Sequence, residues 1–191
     1  TIDLAKTGHI GLYGASGTGK TTFLQTLVYS MVCQYRYTPE ELQLYAMDFG
    51  GRNLGYLTAL PHTGAVVFAD EEQKLYQLLE LLQTIVEERK FVFSTHHCGT
   101  FTDYRTSCSK ALPAILVLID NYAGLHEKYP DISTELAALL GAGKTFGIYF
   151  VLTSSTRDGI YYRVAEHIAT FLSFKMNDPI HYLDILNVRP P

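Results

Sequence analysis

The 191 residues carry a net charge of −4 and are 47% hydrophobic, which suits one domain of ordinary size with a substantial core. No apolar run reaches the roughly 18 residues needed to span a bilayer. The 15 Lys and Arg residues are scattered, whereas a dedicated nucleic-acid binder usually has a basic face. The composition therefore disfavours a nucleic-acid partner.

The two ends of the sequence indicate its domain boundaries, and the cysteines indicate its redox compartment. The chain begins without a signal-peptide pattern and ends on Arg189-Pro190-Pro191, which resembles a linker. We therefore expect residues 1–191 to be a single domain cut from a larger multidomain chain. The three cysteines have no CxxC spacing, which is typical of free thiols in a reducing compartment.

Apolar runs and helical spacing predict most elements in the first half of the chain. A helix is favoured where apolar residues recur every three to four positions, and a strand where a short apolar run is bounded by turn residues. Asp70 is expected to cap a long helix that ends before His96. Ahead of it, the sequence predicts a strand over residues 8–13, a helix over 20–35 and strands over 42–47 and 65–69.

The same alternation continues in the second half. A helix is expected to end near Gly141, and a short one to start at Asp178-Pro179. Because strands alternate with helices throughout, we predict an α/β domain with a mainly parallel sheet and helices on both faces. Ligands of such sheets bind at the carboxyl ends of the strands. The predicted elements are strands over 114–119, 147–152 and 171–174 and a helix over 132–140.

A phosphate-binding pattern lies between the first strand and the first long helix. Residues 14–21, Gly-Ala-Ser-Gly-Thr-Gly-Lys-Thr, match GxxxxGK(S/T) in the strand–loop–helix context that the motif requires. Glycines let backbone N–H groups approach phosphate oxygens, and the helix N-terminus adds partial positive charge. Lys20 is expected to reach the β- and γ-phosphates of ATP, and Thr21 to bind Mg²⁺. The predicted nucleotide-binding residues are Gly14, Ala15, Ser16, Gly17, Thr18, Gly19, Lys20, Thr21 and Thr22.

A second segment, residues 141–145, reads Gly-Ala-Gly-Lys-Thr and resembles the end of another phosphate loop. It lies between a predicted helix and a predicted strand, which is the wrong order for the motif. A helix C-cap is the preferred interpretation there.

The apolar strand predicted over 114–119 leads directly into Asp120. Phosphate-loop NTPases present a carboxylate to Mg²⁺ in this way. A carboxylate that caps the next helix is the alternative, and the upstream phosphate loop favours the magnesium role. The next residue is Asn121, where many such ATPases carry a Glu that takes a proton from the attacking water. An amide cannot act as that base, so we expect binding to survive and hydrolysis to suffer.

Other polar residues allow more than one interpretation. Thr153 is either a sensor of the γ-phosphate or an ordinary strand-end hydroxyl, and Asp48 faces the nucleotide, a neighbouring domain or a turn. The run His96-His97-Cys98 lacks the spacing of a metal site. Five arginines are candidates to act on a neighbouring domain's nucleotide, although most are expected to be solvated: Arg52, Arg89, Arg105, Arg157 and Arg163.

These motifs resemble those of the FtsK/SpoIIIE family. The phosphate loop, the strand that ends in Asp120 and the strand that ends in Thr153 occur in family order and at family spacing, and Glu88-Arg89 lies where the family has a similar pair. Segments 3–6, 20–27 and 44–50 are most similar to the second ATPase domain of type VII secretion motors, EccC or EssC. DNA-pumping members carry Asp-Glu at the acidic strand end and an Arg near the start of the last strand, where this chain has Phe171.

The resemblance implies a RecA-like P-loop NTPase fold that binds ATP and Mg²⁺ and stacks against neighbouring ATPase domains. It implies small helical secreted proteins as substrates and a place on the cytoplasmic side of the bacterial cell membrane, as part of a membrane-anchored protein. The expected function is an ATP-binding motor or regulatory domain whose catalytic set, Asp120, Asn121 and Thr153, is degenerate. A DNA translocase domain of the same family and a non-catalytic nucleotide-binding scaffold are the alternatives.

Overall fold

The computed structural model, which describes residues 3–108, 112–178, 182 and 185, contains one six-stranded sheet. The strand order is β3-β2-β4-β5-β1-β6, and every neighbouring pair is parallel. The predicted α/β class with a parallel sheet is therefore confirmed. The strands are β1 (Ile10–Tyr13), β2 (Leu42–Asp48), β3 (Thr63–Phe68), β4 (Ala114–Asp120), β5 (Ile148–Ser154) and β6 (Thr170–Ser173).

Helices connect these strands. A π-helical turn over Ser30–Gln34 continues the second helix, and 3-10 turns occupy Gly55–Ala59, Lys144–Phe146 and Arg157–Gly159. The helix predicted to start at Asp178-Pro179 lies mostly outside the described residues. The α-helices are α1 (Leu4–Thr7), α2 (Lys20–Tyr29), α3 (Glu72–Thr95), α4 (Phe101–Ser107), α5 (Tyr122–Lys128), α6 (Ile132–Gly143) and α7 (Tyr162–Ala165).

Helices cover both faces of the sheet. Successive side chains of a strand point to opposite faces, so a strand buried on both sides is a continuous apolar run. In β4, Val117 packs into the cluster formed with α3, α5 and α6, whereas Leu116 and Leu118 pack into the cluster formed with α2 and α4. The two-sided arrangement predicted from the sequence is thereby confirmed.

The long helix α3 is not capped by Asp70 as predicted. It begins at Glu72, and the residue before it, Glu71, makes no side-chain hydrogen bond to the helix N-terminus. The carboxylate of Asp70 instead accepts two hydrogen bonds from the Arg52 guanidinium, at 2.7 and 2.8 Å. Both bonds come from one guanidinium nitrogen, and this partner lies too far along the chain to be predicted locally.

The helix predicted to end near Gly141 has its C-cap at Lys144, so the C-cap interpretation of segment 141–145 is confirmed. The helix α6 continues to Gly143, and after one 3-10 turn it is Gly147 that adopts a left-handed conformation, with φ 74°. A Cβ on Gly143 would lie 2.8 Å from the carbonyl oxygen of Ile148. Glycine at that position therefore serves close packing between helix and sheet. Segment 141–145 is helical and no phosphate loop.

Candidate functional site

The phosphate loop follows β1 at the carboxyl edge of the sheet and ends at the start of α2. Gly17 and Gly19 have φ of 75° and 98°, a region that glycine adopts at no steric cost. A Cβ on Gly14 would lie 2.6 Å from the hydroxyl oxygen of Thr18, so no side chain fits there. Each glycine of the motif is thus required by backbone geometry or by space.

Lys20 lies across the loop it belongs to. Its ammonium donates to the carbonyl oxygens of Gly14 at 2.6 Å and Ala15 at 3.0 Å. Burial lowers the pKa of Lys20, and the Asp120 carboxylate opposes that shift. Phosphate oxygens carry negative charge and are stronger acceptors than carbonyls, so a bound phosphate chain is able to draw the ammonium away from the loop.

Asp120 lies at the end of β4 and is 3% exposed. One carboxylate oxygen accepts a hydrogen bond from the Thr21 hydroxyl at 2.8 Å, and the other accepts from the Thr153 hydroxyl at 2.7 Å. The two residues predicted to hold Mg²⁺ therefore meet, although 99 positions separate them. The position before α5 that a capping residue would occupy belongs to Asn121, which disfavours the capping alternative for Asp120.

The site fits a magnesium ion chemically. Mg²⁺ prefers oxygen ligands, and it usually takes one or two from the protein and the rest from phosphates and water. Thr21 and Asp120 supply a hydroxyl and a carboxylate at one point beside the phosphate loop. These two residues are the ones that would hold the ion.

Asn121 lies in the wall of the same pocket in a left-handed conformation, with φ 59°. Asparagine tolerates this conformation better than most residues. Its backbone N–H donates to the Thr153 hydroxyl at 2.8 Å, and its side-chain amide donates to the carbonyl oxygen of Phe49 at 3.0 Å. The backbone N–H and one side-chain N–H are thus engaged by the protein, and the amide links the ends of β2 and β4.

The Thr153 hydroxyl joins the two residues of the acidic strand end. It donates to Asp120 and accepts from the backbone of Asn121, so it orients the carboxylate. This geometry is that of a positioning residue. A direct role as γ-phosphate sensor stays a prediction.

The loop after β2 closes one side of the site. The Asp48 carboxylate accepts backbone hydrogen bonds from Gly50, Arg52 and Leu54 at 3.0, 3.2 and 2.7 Å, which settles its role as that of a turn residue. A Cβ on Gly50 would lie 2.7 Å from Asp120, so only glycine allows this approach. Gly50 is a site residue that sequence reasoning missed, because the contact joins two strands.

A pocket of about 360 Å³ opens over these groups. Gly14, Ala15 and Thr18, which were predicted to bind nucleotide, shape the loop from behind; for example, the Thr18 hydroxyl donates to Ala15 at 2.8 Å. Ser155 also lies in the wall. The lining residues are Ser16, Gly17, Gly19, Lys20, Thr21, Thr22, Gly50, Asp120, Asn121, Thr153 and Ser155.

Two of the five candidate arginines are committed elsewhere. Arg52 pairs with Asp70, and Arg89 is 4% exposed and donates to the carbonyl oxygens of Phe146 and, at 2.6 Å, Pro113. Burial lowers the pKa of Arg89 to about 10. Its acceptors lie where β4 and β5 begin, at the sheet edge opposite the phosphate loop. Arg89 therefore stabilises the fold.

Two other features, a metal cluster and a membrane-spanning helix, are absent from the described residues. In the part of the chain that the structure describes, no group of three or more His, Cys, Asp or Glu side chains lies close enough to hold a metal ion. None of the helices found there has the length and apolar character needed to cross a membrane.

A glycine-rich loop at the end of β1, a lysine and a threonine at the start of α2, and a carboxylate at the end of β4 define a P-loop ATPase fold of the RecA-like kind. The FtsK/SpoIIIE family model matches residues 1–186, so the chain belongs to the FtsK/SpoIIIE family.

Similar proteins come from type VII secretion systems. The chain is 33% identical over 153 residues to the ESX secretion system protein EccC of Geobacillus thermodenitrificans, a match that covers 80% of this chain and 10% of that protein. A solved EssC structure from the same organism, containing ATPases 2 and 3, aligns with a TM-score of 0.91 and 29% identity over 98% of this chain and 36% of that one.

A third similarity concerns a complex. The structure of Thermomonospora curvata EccC, ATPases 2 and 3 with a signal sequence peptide, aligns with a TM-score of 0.86 and 27% identity over 94% of this chain and 33% of that one. The chain thus spans only 10%, 36% and 33% of these three matched chains. The two solved relatives contain EccC or EssC ATPase domains, and this chain is similar to them.

Proposed function

We propose that this chain is an ATP-binding motor or regulatory domain of an FtsK/SpoIIIE-type ATPase in type VII protein secretion, with weak or absent hydrolysis. One observation carries the proposal. An intact phosphate loop and its Mg²⁺-binding pair, Thr21 and Asp120, stand beside Asn121, whose side chain supplies no base and is bonded to Phe49.

Some residues of the site bind the ligand, and others orient the binding residues. The backbone N–H groups of the loop and the Lys20 ammonium bind the phosphates, while Thr21 and Asp120 hold Mg²⁺. When bound, the ion neutralises charge on the β- and γ-phosphates. Thr153 keeps Asp120 oriented. No carboxylate lies at position 121 to take a proton from water, so the proposed cycle depends on binding and release more than on chemistry.

The proposed partners follow from the relatives. The solved EccC and EssC chains carry ATPases 2 and 3 together, so we propose neighbouring ATPase domains of the same chain or of a hexamer as contacts. The signal sequence peptide bound to the Thermomonospora protein supports small helical secreted proteins as substrates. We place the domain on the cytoplasmic side of the cell membrane, attached through other parts of a membrane-anchored protein.

Export of secreted substrates tests this function. In the full-length protein within its own bacterium, Lys20→Ala is expected to reduce export at least several-fold, because the domain no longer holds nucleotide. Immunoblots of culture medium measure it. Lys90→Ala is the matched control, since Lys90 forms an exposed ion pair with Glu87 on α3. Normal export by the Lys20 variant, at normal protein levels, would contradict a role for nucleotide here.

A DNA translocase domain of the same family is the main alternative. The net charge of −4 and the scattered basic residues predict negligible binding of duplex DNA. Fluorescence anisotropy with a labelled duplex at low salt is the measurement. Micromolar affinity that falls steeply as salt is added would support the translocase instead, because that dependence reports the release of counterions from phosphates.

A further inference from the structure

The sheet order fixes the direction in which a nucleotide must lie on the phosphate loop. The loop follows β1, which has β5 and then β4 on one side and β6 on the other. The Mg²⁺-binding pair is on the β4 side, because Asp120 ends that strand. The terminal phosphates therefore lie toward β4, and the nucleoside at the other end of the phosphate chain extends toward β6.

The segment after β6 is tied to the phosphate loop. The Phe174 N–H donates to the carbonyl oxygen of Tyr13 at 2.7 Å, and the Ala15 N–H donates to the carbonyl oxygen of Lys175 at 2.8 Å. These two bonds extend the pairing of β1 with β6 beyond the end of the strands. Residues 174 and 175 consequently hold a fixed place beside the loop.

The ring of Phe174 lies against the glycines of the loop. A Cβ on Gly19 would be 3.9 Å from the Phe174 ring. A Cβ on Gly14 would be 2.9 Å from the Cβ of Phe174. The ring also makes an edge contact with Phe23, with centroids 6.0 Å apart and planes at 78°. Phe174 is half-buried, and neither core cluster of the described residues includes it. The ring is thus oriented by its neighbours without serving the core.

We propose that Phe174 is the residue on which the nucleoside base stacks, and that it gives the site its preference for a nucleotide over bare polyphosphate. An aromatic ring offers a flat apolar face to a base, and stacking of this kind tolerates any base. Other groups must therefore discriminate one base from another. This inference rests on the proposed binding of nucleotide, and it names the residue that binds the half of the ligand the phosphate loop does not touch.

Comparing two ligands distinguishes the contribution of the base to binding affinity from that of the phosphates. Isothermal titration calorimetry with Mg²⁺ compares ADP with inorganic tripolyphosphate, which has no base. Phe174→Leu keeps apolar bulk and removes the aromatic face, so it is expected to lower ADP affinity about 5-fold or more and leave tripolyphosphate affinity unchanged. Phe174→Tyr keeps the ring and is expected to bind both ligands as the wild type does. Lys20→Ala is expected to weaken both.

Each other outcome has a distinct meaning. Wild-type ADP affinity in the Phe174→Leu variant would overturn the stacking role while leaving nucleotide binding intact. Equal loss of ADP and tripolyphosphate in that variant would also overturn it, because the residue would then act through the shape of the loop. A wild-type chain that binds neither ligand would overturn both this inference and the proposed function.

Discussion

Replacing Lys20 with alanine is expected to weaken ATP binding roughly 10- to 100-fold. The change removes a charge-assisted contact to phosphate worth about 1.5–3 kcal/mol. The lysine is only partly buried, and its contacts are to the carbonyl oxygens of Gly14 and Ala15. The loop itself is shaped by its glycines, so the fold should persist. Calorimetry of wild type and variant with ATP and Mg²⁺ gives the affinities.

The control for this measurement is Lys90→Ala, which removes a lysine from an exposed ion pair on α3. It should bind ATP as the wild type does. Thermal denaturation of all three proteins shows whether any loss of binding reflects unfolding. Equal ATP affinity in the wild type and in folded Lys20→Ala would mean that the phosphate loop does not bind ATP.

ATP turnover at this site is expected to be far below the about 1–10³ s⁻¹ common for enzymes. General-base help contributes typically 10²–10⁴-fold, and Asn121 provides none. The measurement is phosphate release from the tandem protein, with its other ATPase domains disabled through their own loop lysines. Rapid hydrolysis with Asn121 in place would show that another residue activates the water. ATP that is bound and never hydrolysed would favour the scaffold.

Asn121→Glu restores a proton acceptor, and its gain in activity is expected only where a neighbouring domain supplies an arginine. The structure indicates that this substitution also destabilises the fold. Glu lacks the donor that bonds the Phe49 carbonyl at 3.0 Å, and it tolerates the φ of 59° less well than Asn. Asn121→Asp is the matched variant, because Asp keeps the size and tolerates the conformation. Both should be compared at temperatures where they are fully folded.

Asp120→Ala tests ATP binding, whereas the Asn121 variants test hydrolysis. It removes a predicted ligand of Mg²⁺, so ATP affinity should fall in the presence of the ion and change little when the ion is chelated. The Asn121 variants should behave in the opposite way, with affinity near that of wild type. An Asp120→Ala variant that binds Mg²⁺ and ATP normally would remove this carboxylate from the site.

The parts of the molecule that the sequence predicts well are those with local causes. The phosphate loop is a contiguous motif whose glycines have local steric reasons, and β4 is an uninterrupted apolar run. Failures arise where a distant group competes. Asp70 has the right chemistry for a cap, yet Arg52 takes its carboxylate. Gly50 reaches Asp120 only because β2 and β4 are neighbours. Short helices such as α4 are too brief to show a helical period.

The pairing of β1 with β6 has a consequence for how the domain is made. Ile10 is aligned with Val151 on one side and Thr170 on the other, so the strand that leads into the phosphate loop finds both partners late in the chain. Such long-range pairings slow folding, because the entropy of closing a large loop is lost before any stabilising contact forms. During synthesis, the loop gains its anchor at Lys175 only when nearly all of these residues have emerged from the ribosome. Nucleotide bound as proposed would therefore stabilise the finished domain by mass action, and it would arrive too late to guide the early steps of its folding.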